Sequence, residues 1–293
     1  MTEPSLPPAP HPLAGPAFDS HCHLDAMSNR SGRGEFADAS YVASCAAEAS
    51  AVRVDRLINV GCAVAEWQPA IASTEHPAVF CALAVHPTEV GELTDAHYAE
   101  LERLLSHPKA VAVGETGLDY YWNRTEPALQ QEHFRRHIEL AKRVGKALMI
   151  HDRDAHLDVL RVLDEEGAPD TVVFHCFSGD AAMARTCVDA GYVLSFAGPV
   201  TFKNAASLRE AAALVPDGQL LVETDAPFLT PHPHRGRANE PYCLPWTVRG
   251  LAHVRGVSAE RVADSARRTA EAVFGLPSAA DAPSPGAGAT RST

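Results

Sequence analysis

The stretch ALQQEHFRRHIELAKRVGKALMIHDRDAHLDVLRVLDEEG, residues 128–167, changes its hydrophobic period twice. Phe134, Ile138, Leu140, Ala141 and Val144 sit near 3.6-residue spacing, with Glu126-Pro127 before them and Gly145 after. That spacing predicts a helix over 128–144, since Pro opens helices and Gly ends them. ALMIH (147–151) is an unbroken apolar run of strand length, the pattern of a strand covered on both faces. Helical spacing returns with Leu157, Leu160, Val162 and Leu163 and stops at Gly167, which predicts a helix over about 156–166. Helix, strand, helix is the unit of an α/β fold.

Outward from this core, further runs recur: AFDSH (17–21), RLINV (56–60), VFCALAV (79–85), AVAVGE (110–115), TVVFH (171–175), YVLSF (192–196) and LLVET (220–224). With ALMIH they make eight strands alternating with helical segments, the number of a single (β/α)8 TIM barrel. Six prolines in residues 1–16 and an Ala, Ser, Pro and Gly-rich stretch at 277–293 predict disordered ends around a barrel domain of residues 17–276.

The 293-residue chain has 46% hydrophobic and 21% charged residues, a normal globular balance. Its net charge is 25 − 37 = −12, which argues against non-specific coating of nucleic acid but not against a locally cationic cleft. Seven cysteines, an odd number without a Cys-x-x-Cys pair, suggest reduced thiols. The first 29 residues hold no Lys or Arg and no signal-like apolar run, and no span of membrane length occurs. A cytoplasmic location without membrane or obligate protein partner is the expectation.

The polar residues that end these runs point to chemistry. The first ends in His21-Cys-His23, the fourth in Glu115, the fifth in His151, the sixth in His175 and the eighth in Asp225. In a barrel the carboxyl ends of the strands share one face, so these distant residues should converge there. A period of two places the His21 and His23 imidazoles on one side of an extended chain, with Cys22 facing away; Cys176, beside His175, should face away likewise. Four histidines and two carboxylates exceed one tetrahedral structural zinc and suit two divalent ions, with Glu115 as the candidate bridge. Mixed nitrogen and oxygen ligation leaves Mg, Mn and Zn open.

Taken together, FDSHCHLD (18–25), VGETGLDYYW (113–122), QQEHFRRHIELAKRVGKALMIHDRDA (130–155), VFHCFSG (173–179), LLVETDAPFLTP (220–231) and RGRANEP (235–241) resemble the ordered motifs of the TatD family of deoxyribonucleases, in the amidohydrolase superfamily. The resemblance implies a metal-dependent barrel with His21, His23, Glu115 and Asp225 around one ion and Glu115, His151 and His175 around the other. It also implies hydrolysis of DNA phosphodiesters, as a 3′-to-5′ exonuclease on single strands, by two-metal activation of water. Two positions depart from the pattern: Ala84 stands where Gly is usual, and Thr269 where many members have Asn.

In that chemistry Asp225 and Glu115 are the candidate catalytic residues, Asp225 ligating a metal and accepting the proton of water. Arg153 and His86 are candidate substrate-binding donors for phosphate oxygens; a salt bridge to Asp152 or Asp154 is the alternative for Arg153, and a buried turn position for His86. Tyr120, Tyr121, Trp122 and Phe177 are candidates for stacking on bases, and Arg235 and Arg237 form a basic stretch that is otherwise read as ordering its own loop. The competing activities are hydrolysis of an amide, lactone or phosphotriester, or of the ester of aminoacyl-tRNA, on the same metals. A bridging lysine, as such enzymes often use, is missing from the fourth run.

Overall fold

Eight parallel strands pair in sequence order: β1 (Ala17–Cys22), β2 (Val54–Gly61), β3 (Val79–Leu83), β4 (Ala110–Asp119), β5 (Ala147–Arg153), β6 (Val172–Phe174), β7 (Val193–Phe196) and β8 (Leu220–Val222). The helices between and after them are α1 (Leu24–Arg30), α2 (Ala39–Ala51), α3 (Trp67–Ser73), α4 (Asp95–Leu105), α5 (Pro127–Val144), α6 (His156–Glu166), α7 (Ala181–Asp189), α8 (Ala206–Leu214), α9 (Leu244–Arg255) and α10 (Ala259–Val273). This computed structural model describes residues 5–122 and 124–277. The fold is the expected (β/α)8 barrel.

Two apolar clusters show how the barrel is filled. Inward-facing Phe18, Ile58, Val60, Phe80, Val111, Met149, Val173 and Leu221 pack with Ala270 and Phe274 of α10, and Phe18 lies against both Phe80 and Phe274 at 6.4 Å. A larger cluster lies between strands and helices, with Leu83, Val113, Phe134, Ile138, Leu148, Ile150 and Phe174 among its members. Burial on both faces is why the strands read as continuous apolar runs.

The seam between β1 and β8 is joined by single bonds rather than a ladder. Ser20 Oγ donates to Val222 O at 3.2 Å, Thr224 Oγ1 donates to Asp19 Oδ2 at 2.6 Å, and Asp225 N donates to His21 O at 2.9 Å. β8 therefore stops at Val222, short of the expected Thr224, because Asp225 N turns to β1 instead. β4 and β5 run past their expected ends at Glu115 and His151, pairing as far as Asp119 and Arg153. Gly117, with φ of 139°, permits this: a Cβ there would collide with the His151 carbonyl.

α5 buries Gln130, His133, Phe134, His137, Ile138, Leu140 and Ala141, and left-handed Gly145 closes it with its N–H on Lys142 O. α6 spans the expected residues but buries Val159, Val162 and Leu163. Leu157, expected on that face, is 84% exposed, because it lies about 200° around the helix from Val159. Thr269, the departure in α10, donates to Asp217 O at 2.9 Å and so pins that helix below β8.

Residues 5–16, set outside the domain by the sequence reading, have no regular secondary structure yet lie along the barrel. Tyr242 Oη donates to Pro7 O at 2.7 Å, Arg249 Nη2 to His11 O at 2.6 Å, and Leu13 N to Val52 O at 3.2 Å. Proline removes ladder donors, but its carbonyls still accept. Residues 1–4, and the expected tail from 278 onward, lie outside the described residues. The seven thiols are all free, and among the described residues no helix is long and apolar enough to cross a membrane.

His137 gives the fold an acid-sensitive point. Its Nδ1–H donates to His133 O at 2.8 Å, its Nε2 is buried without a partner, and burial against Tyr98, His133 and Arg136 pulls its pKa from 6.5 down to about 3. The unfolded chain takes up this proton below pH 6.5 and the folded chain does not until near pH 3, so stability falls as pH drops through that window. Denaturant titrations of wild type and His137→Leu should show the variant losing roughly 2–3 kcal/mol less between pH 6 and pH 4. Equal losses would remove His137 as the cause.

Candidate metal centre

Strand direction alone brings the six expected residues together at the carboxyl end of the barrel. His21 Nε2 stands 3.1 Å from His23 Nε2 and 3.4 Å from Glu115 Oε2, and His23 Nε2 stands 3.4 Å from Asp225 Oδ1. On the other side of Glu115, Oε2 is 2.7 Å from His175 Nε2 and 3.9 Å from His151 Nδ1, and those two nitrogens are 3.4 Å apart. Among the described residues four groups of donors lie close enough to hold an ion: His21 with His23 and Asp225, Glu115 with His151 and His175, His21 with His175 and Glu223, and His86 with Asp119 and His151. Glu115 Oε2 reaches towards the first two.

The donors converge on one another across a small space. Glu115 Oε2 is buried and accepts no well-aligned hydrogen bond even with three imidazoles around it. The 3.1 Å approach of the His21 and His23 nitrogens sets two like atoms face to face, an arrangement that a cation between them relieves. These residues fit a divalent metal.

The second nitrogen of three of the histidines is already occupied. His21 Nδ1 meets Met149 Sδ at 3.2 Å, His151 Nε2 meets Asp119 Oδ2 at 2.9 Å, and His175 Nδ1 meets Glu223 Oε1 at 3.2 Å. Such contacts fix the ring and leave the other nitrogen's lone pair for a metal. Asp119 Oδ1 also accepts from the N–H groups of Tyr121 and Trp122 at 3.0 and 2.9 Å, and Glu223 Oε1 from Cys176 N at 2.8 Å. Sequence reasoning passed over Asp119 and Glu223. Their signal was alternation: Glu223 lies two residues before Asp225, and Asp119 four after Glu115.

The charges within the cluster are set by burial and neighbours. Burial, then the nearby His175, holds the His21 imidazole well below its usual pKa, in the neutral form a metal needs. For Glu115 burial acts upward, but the imidazoles of His175, His21 and His86 outweigh it and keep the carboxyl well below the usual range. Burial would lower His175, yet Glu115 and Glu223 raise it well above 6.5. Left-handed backbone at Asp154, Cys176, Asp225 and Leu229, with φ from 42° to 56°, falls just beyond β5, β6 and β8. Strain of this kind collects where side chains must be aimed.

His86 joins the cluster at its edge. Its ring centroid is 4.3 Å from that of His151, and Thr88 N donates to its Nδ1 at 3.2 Å, which leaves Nε2–H as a free donor. Arg153 is exposed and makes no ion pair among the described residues; its guanidinium covers the Tyr121 ring at 3.9 Å, and Asp152 pairs with His156 instead. Phe177 is buried against Phe196, and Tyr120 is bonded to Asp158. Arg235 covers Phe202 and Arg237 donates to Leu6 O, so neither reaches the centre. Asn239 orders their loop, donating to Thr224 O and Phe228 O at 2.8 and 2.7 Å.

Cys22 points away as expected, its Sγ donating to Ile58 O at 3.3 Å. At Cys176 the backbone is no longer that of a strand, since β6 ends at Phe174 and its own φ is 42°. Its half-buried thiol is pushed up by burial and by the charges of Asp225, Glu223 and Glu115.

Comparison with known proteins identifies the family. A Mycobacterium tuberculosis protein named uncharacterized metal-dependent hydrolase TatD is 53% identical over 265 residues, covering 88% of this chain and 97% of its own length. An Erwinia billingiae protein named 3'-5' ssDNA/RNA exonuclease TatD is 37% identical over 200 residues, 66% of this chain and 76% of that protein. The crystal structure of YJJV, a TatD homolog from Escherichia coli K12, superposes with a TM-score of 0.81 at 26% identity, covering 89% of this chain and 98% of that one. With its residues 18–275 matched by the pattern of the TatD related DNase family, the chain belongs to that family of metal-dependent hydrolases.

Proposed function

We propose that this hydrolase cleaves phosphodiester bonds of single-stranded DNA from the 3′ end, with His21, His23, Glu115 and Asp225 holding one divalent ion and Glu115, His151 and His175 a second. The observation that carries it is the buried Glu115 Oε2, which accepts no well-aligned hydrogen bond although nitrogens of His21, His151 and His175 stand within 3.9 Å of it. Ions held there supply a water of lowered pKa and neutralise charge on the phosphate oxygens. The substrate class is supported by the Erwinia billingiae relative's name.

Each side chain then has a task. Asp225, 3.4 Å from His23 Nε2, takes the proton of the attacking water. His86, through Nε2–H, and Arg153, without an ion pair among the described residues, donate to phosphate oxygens as charge grows on them. Trp122 and Tyr121 are 46% and 54% exposed beside Arg153 and offer faces on which bases stack.

Asp225→Asn should lower kcat on a single-stranded oligonucleotide by about 10²–10⁴ with KM little changed. Steady-state kinetics checks this, and cutting that persists in excess chelator would refute a metal-dependent reaction. Asp119→Asn should leave the circular dichroism spectrum intact but weaken Mn²⁺ or Zn²⁺ binding to the stripped protein by about 10–100-fold in calorimetric titration, because His151 loses its anionic partner. Wild-type affinity in that variant would exclude Asp119 as the group that orients His151.

A further inference from the structure

We propose that a cavity beside the His23–Asp225 side of the centre receives the terminal nucleobase of the substrate strand, and that the segment preceding β1 is its end wall. The inference rests on the nucleic-acid reading above. The cavity holds about 140 Å³ and is lined from three parts of the chain by Leu6, Met27, Arg30, Ser31, Pro227 and Glu240. Arg30 links it to the centre: Nη1 donates to Pro227 O at 3.2 Å, and the guanidinium lies 5.9 Å from the centroid of Phe228. The Phe228 ring, 48% exposed, stands edge-on to His23 at 5.9 Å. Cavity, guanidinium, aromatic ring and candidate metal ligand adjoin one another in that order.

That lining suits a heteroaromatic ring. Leu6, Met27 and Pro227 offer apolar walls for its faces, while Arg30, Ser31 and Glu240 offer donors and acceptors for its edge. Across the barrel, at β4 and β5, the surroundings differ. Tyr121 and Trp122 lie in the open, with Arg153 over Tyr121 at 3.9 Å and Arg124 over Trp122 at 5.6 Å. An open platform lets a strand pass; a walled cavity admits only its end.

The wall is held by named bonds. Arg237 Nη1 donates to Leu6 O at 3.3 Å, and Tyr242 Oη donates to Pro7 O at 2.7 Å. Leu6 precedes residue 18, where the match to the family pattern begins.

The test uses the full chain and two substrates, a single-stranded oligonucleotide and methyl p-nitrophenyl phosphate, a diester without a base. Ala238 also lines the cavity, so Ala238→Trp, which fills it, and Phe228→Ala should each raise KM for the oligonucleotide about tenfold or more, with far smaller effects on the base-free diester. Phe228→Tyr should restore the oligonucleotide KM. In excess chelator, 2-aminopurine as the 3′-terminal base should be quenched on binding wild type, and less so on binding Ala238→Trp. Wild-type KM in both variants, with wild-type quenching in Ala238→Trp, would overturn the inference and leave the nuclease reading standing. A wild-type protein that hydrolyses the base-free diester but neither binds nor cuts the oligonucleotide would overturn the nucleic-acid reading, and this inference with it.

Discussion

Glu115 carries its carboxylate into the protein interior, where an isolated charge would be expensive. The imidazoles of His21, His151 and His175, with nitrogens between 2.7 and 3.9 Å from Oε2, offset that cost and compete for the same oxygen. Hydrogen bonding within the cluster is incomplete: His21 meets His23 and His151 meets His175, but the buried Glu115 Oε2 accepts no aligned bond. The surrounding architecture keeps this frustrated group in place. A divalent cation bound among these donors would relieve the conflict.

Rigidity of the cluster comes from the layer behind it. Asp119 fastens the His151 ring and, through its other oxygen, the backbone of Tyr121 and Trp122, so one carboxylate ties the centre to the exposed aromatic platform. Glu223 does the same for His175 and the start of the next loop. Asp19 accepts from Thr224 and so draws the end of β8 against β1, where His21 and Asp225 must meet. The β1–β8 seam, lacking a ladder, is joined where the chemistry is.

The mouth of the barrel is asymmetric. Its β4–β5 side carries exposed rings and arginines, whereas its β8–β1 side is narrowed by α1, the loop after β8 and the segment before β1. The chain is acidic overall at −12, yet Arg30, Arg124 and Arg153 stand at this rim. Local cation density, rather than net charge, is what a bound anion feels.

By itself the sequence determined the eight strands, the limits of α5 and α6, and the residues that gather at the centre, because two-sided burial leaves unbroken apolar runs and parallel strands carry whatever ends them to one face. Thr269, a departure from the expected pattern, proved compatible because its hydroxyl found the Asp217 carbonyl. Tertiary structure alone decided which buried acids hold the histidines, since Asp119 and Glu223 gain those roles only through contacts 32 and 48 residues away. It also decided the left-handed backbone at Cys176, just past β6, and the direction of Leu157, where one helical face meets the barrel and the other meets water. Local pattern encodes periodicity and burial; side-chain aim depends on backbone angles and partners that exist only once distant segments have met.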